Sequence, residues 1–222
     1  MIKGEIKQEK LCDRVYEVLY QNIINQNLKP SDRIVESEVA KALNVSRTPI
    51  REAIARLLRN GLLMELPSGG VCVAKLTLEQ VKEVFDVRIA LESYAAYLAV
   101  PLLSDEDLAM LVRMHKEAEA TIDHDPELAL AADRDMHQLL IDRCQNSRIA
   151  QILTDLYSLV QLFRAQQGKH IKTVRNLMEQ RRRIIEALSQ RDGELTEKLM
   201  REHIRTVQEG VMADINASSQ TG

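Results

Sequence analysis

The sequence predicts a mostly α protein in two parts: a short helical front end carrying a small β-hairpin, then an antiparallel bundle of six or seven helices. Three observations carry that expectation. Aromatic residues make up 3% of the 222 and Leu, Ala, Glu and Arg dominate, a helix-favouring composition. From residue 78 onward, apolar positions recur at helical spacing and no alternating strand pattern interrupts them. Before that point, the runs Met64-Glu65-Leu66 and Val71-Cys72-Val73-Ala74 flank Pro67-Ser68-Gly69-Gly70, the pattern of a tight hairpin.

Residues 1–9 are polar and expected to be loose. Leu11, Val15, Val18, Leu19, Ile23 and Ile24 then repeat at helical spacing, so 10–26 reads as a helix stopped by Asn27 and Pro30. Residues 31–36 read as a connection. A short helix follows over 38–43, broken by Asn44. The next helix begins at Ser46, a residue type that caps helix N-termini, with Pro49 in the first turn, where its missing N–H costs nothing. Ile50, Ile54, Leu57 and Leu58 form its apolar stripe, and Asn60-Gly61 ends it. Outside the stripe the helix is basic, with Arg47 and Arg51 near its N-terminus and Arg56 and Arg59 further on. Two short helices joined by a three- or four-residue break make a helix-turn-helix. A hairpin after it makes a winged one, and an arginine-bearing helix N-terminus suits entry into the DNA major groove.

Thr77 with Gln80 three residues later reads as a capping box, which puts the domain boundary near Lys75-Leu76. The expected division is 1–75, 76–215 and a disordered polar tail over 216–222, with a linker short enough to couple the two domains. Helices are expected at 78–100, 105–122, 126–144, 147–166, 172–190 and 192–215. Ser104 with Asp105 and Glu106, Asp125-Pro126, Gln145-Asn146, Gly168 and Asp192-Gly193 punctuate them.

The net charge of −3 splits unevenly. Residues 1–74 hold 11 Lys/Arg and 9 Asp/Glu, whereas residues 75–222 hold 19 and 24, so a slightly basic front end precedes an acidic bundle. No apolar run approaches the roughly 18 residues of a membrane span, and the N-terminus carries no signal-peptide pattern. Cys12, Cys72 and Cys144 are scattered, which points to reduced thiols of a cytoplasmic protein and away from a disulfide framework or zinc cluster. No Gly-rich phosphate loop or nucleophile elbow is present, so an enzyme is not expected. The rival readings are a metal-dependent enzyme on the bundle's Asp/His residues and a protein-interaction bundle.

Several signals in order resemble the GntR transcription regulators: the leading helix, Glu36-Ser37-Glu38-Val39-Ala40, Val45-Ser46-Arg47-Thr48-Pro49-Ile50-Arg51-Glu52-Ala53, and Asn60-Gly61-Leu62-Leu63 before the wing. That resemblance implies operator contacts by Ser46, Arg47, Thr48 and Arg51, with Gly69 or Gly70 placing the wing. Many relatives carry a basic residue where this chain has Ser37, and Arg33 and Lys41 are the nearby substitutes. The second half resembles the FadR-type C-terminal (FCD) effector domain through Val87-Arg88-Ile89-Ala90-Leu91-Glu92, Asp133 to His137, and Ile184 to His203. The resemblance implies a homodimer on double-stranded operator DNA that answers to a small-molecule effector. The expected effector is an organic acid, with a fatty-acyl-CoA or sugar acid as the alternative, and repression relieved by effector is the expected sign.

The effector-site candidates are Arg88, Asp133, His137, Arg181 and His203. Asp133 and His137 lie four apart and share a helix face. In metal-binding members an Asp and His so spaced are joined by two further histidines. His203 matches the second of these, and Arg181 stands at the first. One reading puts zinc or nickel on Asp133, His137 and His203. Another puts the Arg181 guanidinium where the metal would be, paired with Asp133 or an effector carboxylate. A third has the histidines only satisfying buried hydrogen bonds. A fixed cation a few Å from a divalent ion is repulsive by several kcal/mol, so no tightly bound metal is expected. Arg88 is expected to pair with Glu92 one turn on. Arg181, Arg182 and Arg183 should point three ways, and His115, His124 and His170 are expected at the surface.

Overall fold

The computed structural model describes residues 11–75, 77–165 and 171–219. The chain divides into two compact units, one made of residues up to Leu76 with Ser158–Gln166, the other of Thr77–Tyr157 with Gln167–Gly222. The loose start over 1–9, Leu76, Gly168, His170 and the last three residues fall outside the described part.

The first unit runs α1 (Leu11–Ile24), β1 (Arg33–Ile34), α2 (Glu36–Leu43), α3 (Arg47–Arg59), β2 (Leu63–Glu65) and β3 (Val71–Val73). Its core is built from Val15, Leu19 and Ile23 of α1, Ile50, Ala53, Ile54 and Leu57 of α3, and Leu62, Leu63 and Val73 of the sheet. Leu162 belongs to the same core. The helix-turn-helix break is the three residues Asn44, Val45 and Ser46, and it turns on Asn44 at φ 53°, a left-handed conformation asparagine tolerates better than most. Ser46 takes the N-cap position of α3 in an extended conformation, but its side chain makes no cap hydrogen bond, so its hydroxyl stays available. The stripe is Ile50, Ala53, Ile54 and Leu57, with Leu58 only half-buried at its edge.

The expected hairpin forms, with β2 and β3 pairing antiparallel, and β1 adds a third strand to it in the order β1-β3-β2. Arg33 pairs with Cys72 and Ile34 with Val71, so part of the expected connection is a strand. Two residues are too few to show alternation, and their strand character comes only from the partner they meet. Likewise α2 begins at Glu36, two residues earlier than its apolar pattern indicates.

Gly61, at φ +70°, ends α3 in the left-handed region, and a Cβ there would also meet Leu159 Cδ1 at 2.5 Å. Gly61→Ala is therefore expected to cost about 1–2 kcal/mol from backbone conformation, measured by denaturant unfolding.

The second unit comprises α4 (Leu78–Ala99), a 3₁₀ turn (Val100–Leu102), α5 (Asp105–Thr121), α6 (Pro126–Arg143), the first half of α7 (Ser147–Ala165), α8 (Ile171–Ser189) and α9 (Gly193–Ser219). Its helices start where capping chemistry says they should. Thr77 and Gln80 form the capping box of α4, Ser104 and Asp107 that of α5, and Asp125 accepts from Leu128 N ahead of Pro126 in α6. α9 runs to Ser219, past the expected end at 215, because no glycine or proline interrupts Ala213 to Ser219. α4 packs along α9, α8 packs on α9, and α5, α6 and α8 pack on one another. Ala95, Ile141, Cys144, Ile149 and Leu153 form one apolar cluster, and Ala118, Ala129, Ala132, Val174 and Met178 another. Between these lie buried charged side chains.

Candidate functional site

On the first unit, the apolar side of α3 is anchored and its basic N-terminal end faces outward. Ser46, Arg47, Thr48 and Arg51 are all exposed, while Ile50 and Leu57 are wholly buried. Arg47 makes no hydrogen bond or ion pair among the described residues. Arg51 Nε donates to Glu36 Oε2 at 2.8 Å, an ion pair between the fifth residue of α3 and the first of α2. Arg33 Nη2 donates to Gly69 O at 2.9 Å and to Ser68 Oγ at 3.4 Å, so it clips the wing tip. Gly69 and Gly70 adopt φ +84° and +89°, open only to glycine at little cost, and both are exposed.

In the second unit, the sequence-named residues Arg88, Asp133, His137, Arg181 and His203 are all buried. α4 supplies Arg88 and Glu92, one turn apart and joined by Nε–Oε1 at 2.5 Å and Nη2–Oε2 at 3.2 Å. The expected Arg88–Glu92 pairing therefore forms, but Glu92 does more. Its Oε2 also lies 2.6 Å from His137 Nδ1 on α6. Burial pushes the Glu92 carboxyl up, yet the Arg88 charge and the contact with His137 overcome this and hold it below the carboxylate range.

Asp133, one turn before His137, lies with Oδ1 3.1 Å from His203 Nε2 and Oδ2 3.9 Å from His137 Nε2. The ligand-type atoms of Asp133, His137 and His203 lie within 4.8 Å of one another. Hydrogen bonds behind the rings fix which nitrogens face inward. Gln180 Nε2 donates to Thr206 Oγ1 at 2.9 Å, so Gln180 presents Oε1 to His203 Nδ1 at 3.2 Å, and that nitrogen must carry the proton. The Glu92 carboxylate likewise takes the proton of His137 Nδ1. Both histidines thereby turn Nε2 inward toward Asp133, the arrangement in which outer partners orient metal-ligating histidines. A neutral His203 would aim a lone pair at a carboxylate oxygen 3.1 Å away, which is repulsive unless positive charge lies between them. The three side chains therefore fit a divalent cation, which would supply that charge.

Arg181, at the position of the missing histidine, turns its donors elsewhere. Nε donates to His115 Nδ1 at 3.3 Å and Nη1 to Ala129 O at 2.6 Å. Burial weakens the guanidinium's hold on its proton, and the Asp133 charge offsets part of that. His115 is therefore buried and not at the surface. Burial and the Arg181 charge lower its proton affinity, so it stays neutral and accepts from the arginine. No ligand spacing marks His115 or Gln180 in the sequence, because their partners come from other helices. Arg182 pairs with Glu179 and Glu186 at the surface and Arg183 is exposed, so the three arginines do point three ways. His124 is exposed as expected. Cys12, Cys72 and Cys144 are free thiols, Cys12 half-buried and the other two buried. No described helix is long and apolar enough to cross a membrane.

Comparison with known proteins agrees with both halves. The family model for bacterial regulatory proteins of the gntR family matches residues 11–73, and that for the FCD domain matches residues 83–206. The chain is 28% identical over 199 residues to the HTH-type transcriptional repressor RspR of Escherichia coli, spanning 89% of this chain and 87% of RspR. It is 29% identical over 191 residues to the HTH-type transcriptional regulator YdhC of Bacillus subtilis, spanning 85% of each. The solved structure of E. coli McbR/YncC shares the fold at a TM-score of 0.74 and 23% identity, covering 89% of this chain and 95% of that one. A winged helix-turn-helix joined to an all-helical FCD domain defines a transcriptional regulator and not an enzyme. The chain belongs to the GntR family, with the FadR-type architecture.

Proposed function

We propose that this regulator acts as a homodimeric repressor, binding a short inverted-repeat operator through α3 and the wing and releasing it when an organic acid enters the helical unit. The observation that carries the reading is the outward-facing basic end of α3 against its fully buried stripe. In this reading Arg47 and Arg51 read base edges, Ser46 and Thr48 hold the adjacent phosphates, and the backbone of Gly69 and Gly70 approaches the duplex closely; the exposure of all six supports it. Arg33 acts by holding the wing in shape. Two-fold symmetry would present two copies of α3 to half-sites one helical turn apart. Exposed Val87 and Tyr94 on α4 support a dimer seam, with half-buried Leu91 and Leu98, which pack on the bundle's own apolar cluster, at its margin.

For the effector site, the convergence of Asp133, His137 and His203, whose ligand-type atoms lie within 4.8 Å of one another, favours a divalent transition cation held by these three side chains. A proton on His203 would relieve its contact with Asp133 alone, whereas a cation serves all three. The open coordination positions would take an effector carboxylate, with Arg181 and Arg88 nearby to balance its charge. Effector and operator affinities are then reciprocally linked.

The test combines metal analysis of protein purified without chelator with gel-shift titration on a duplex selected from a random library. About one equivalent of zinc or nickel per chain is expected, falling well below one in His203→Ala. Chain that is metal-free and gains no thermal stability from added zinc, nickel or manganese would show that His203 meets Asp133 as an imidazolium. Failure of the chain to select any palindromic duplex would sink the operator reading.

A further inference from the structure

The first residue of α2 carries a negative charge at the edge of the surface proposed above to face DNA, where it would repel phosphate. Glu36 Oε2 accepts from Arg51 Nε at 2.8 Å, and both side chains are solvent-accessible, 37% for Glu36 and 64% for Arg51. A pair this exposed adds little to folding, so stability does not account for it. Its geometry does. A guanidinium has five N–H donors, and Glu36 engages the Nε side only. Nη1 and Nη2, the end-on fork that meets guanine O6 and N7, carry no hydrogen bond among the described residues.

We propose that Glu36 is a specificity-determining residue of DNA recognition, acting as a positioning residue that braces Arg51 through Nε while leaving its outer fork free for a base edge. The proposal rests on Arg51 being a base contact. Bracing removes the rotamers in which a long, flexible arginine would drift to the nearest phosphate. The carboxylate also cancels most of the charge that makes phosphate attractive, while leaving the directional hydrogen bonds of the fork. Non-specific binding, which depends almost wholly on charge, is thereby weakened more than binding to the right base. Glu38, exposed on the same helix and free of any ion pair among the described residues, provides a control with the same charge change.

The experiment uses the full chain, fluorescence anisotropy over a salt series, a random-sequence duplex, and a duplex selected by the wild-type protein. Glu36→Ala should bind the random duplex about threefold more tightly at low salt, and its log-log salt slope should steepen by about one per engaged protomer. The preference for the selected over the random duplex should fall roughly tenfold. Repeating the selection with Glu36→Ala should lose information at the base position that Arg51→Ala also flattens. Glu36→Gln keeps an acceptor for Nε–H without the charge, so it should steepen the slope yet retain most of the base preference. Equal shifts on both duplexes, or the same loss of preference from Glu38→Ala, would overturn the proposal. If Arg51→Ala flattens a position that Glu36→Ala leaves intact, Glu36 does not position Arg51. If Arg51→Ala flattens none, the base-contact reading of Arg51 falls as well.

Discussion

Alanine at Arg47 or at Arg51 is expected to abolish operator binding at concentrations where the wild-type chain saturates its site. A bidentate arginine–guanine contact contributes about 1–3 kcal/mol of discrimination, and a two-fold dimer loses it in both half-sites, so each substitution removes about 2–6 kcal/mol. Folding should be unaffected, because both side chains are exposed and the stripe beneath them, Ile50, Ala53, Ile54 and Leu57, is untouched. The two substitutions differ in salt dependence. Arg47 is unpaired among the described residues, so its loss should also lower the salt slope on random DNA. Arg51 is already paired with Glu36, so its loss should leave that slope nearly unchanged. Gel-shift titration with thermal melting of each variant checks both points. Wild-type affinity in both variants would remove the basis for assigning α3 to the groove.

Glu92→Ala should be the most destabilising single change in the helical unit. Glu92 is the shared acceptor for Arg88 and His137, and all three side chains are buried. Breaking a buried pair by removing one partner costs about 3–5 kcal/mol, because the remaining charge stays unpaired and out of water. That is a large part of the roughly 5–15 kcal/mol that holds a domain together. The double variant Arg88→Met/Glu92→Leu should recover most of the loss, since removing both charges leaves only the His137 Nδ1 proton without its acceptor. The pH dependence has a definite sign. The folded Glu92 carboxyl lies below its unfolded value of about 4.3, so its contribution is fully present above that pH and fades as the pH drops further. Acid unfolding monitored by circular dichroism should shift to higher pH in Glu92→Gln, which gives up that contribution. A Glu92→Ala chain as stable as wild type would mean that Arg88 finds another partner.

The fold was legible where the signal is local. The stripe of α3, the break at Asn44, the capping box at Thr77, the helix start at Ser104 and the two glycines of the wing each depend on residues within a turn or two of one another. The family followed from the order of those same signals. β1 was missed because two residues carry no period, and their pairing with Cys72 and Val71 is a property of the partner strand. The polar composition after residue 215 does not mark the end of α9, which continues to Ser219 because no helix breaker stands there.

The candidate site divides the same way. Sequence alone determined that Arg47, Thr48 and Arg51 crowd the N-terminal end of α3 outside its apolar stripe and that Asp133 and His137 share a helix face, because both follow from spacing along one helix. Only the tertiary structure decided what those side chains do in place. It gave Arg51 to Glu36 and Arg33 to the wing tip, buried His115 beneath Arg181, and set Glu92 and Gln180 behind the two histidines so that their inner nitrogens face Asp133. The physical reason is that a charged side chain buried or braced across helices takes its state from whichever partner arrives from elsewhere in the chain, and the spacing of residues within one helix carries no record of that partner.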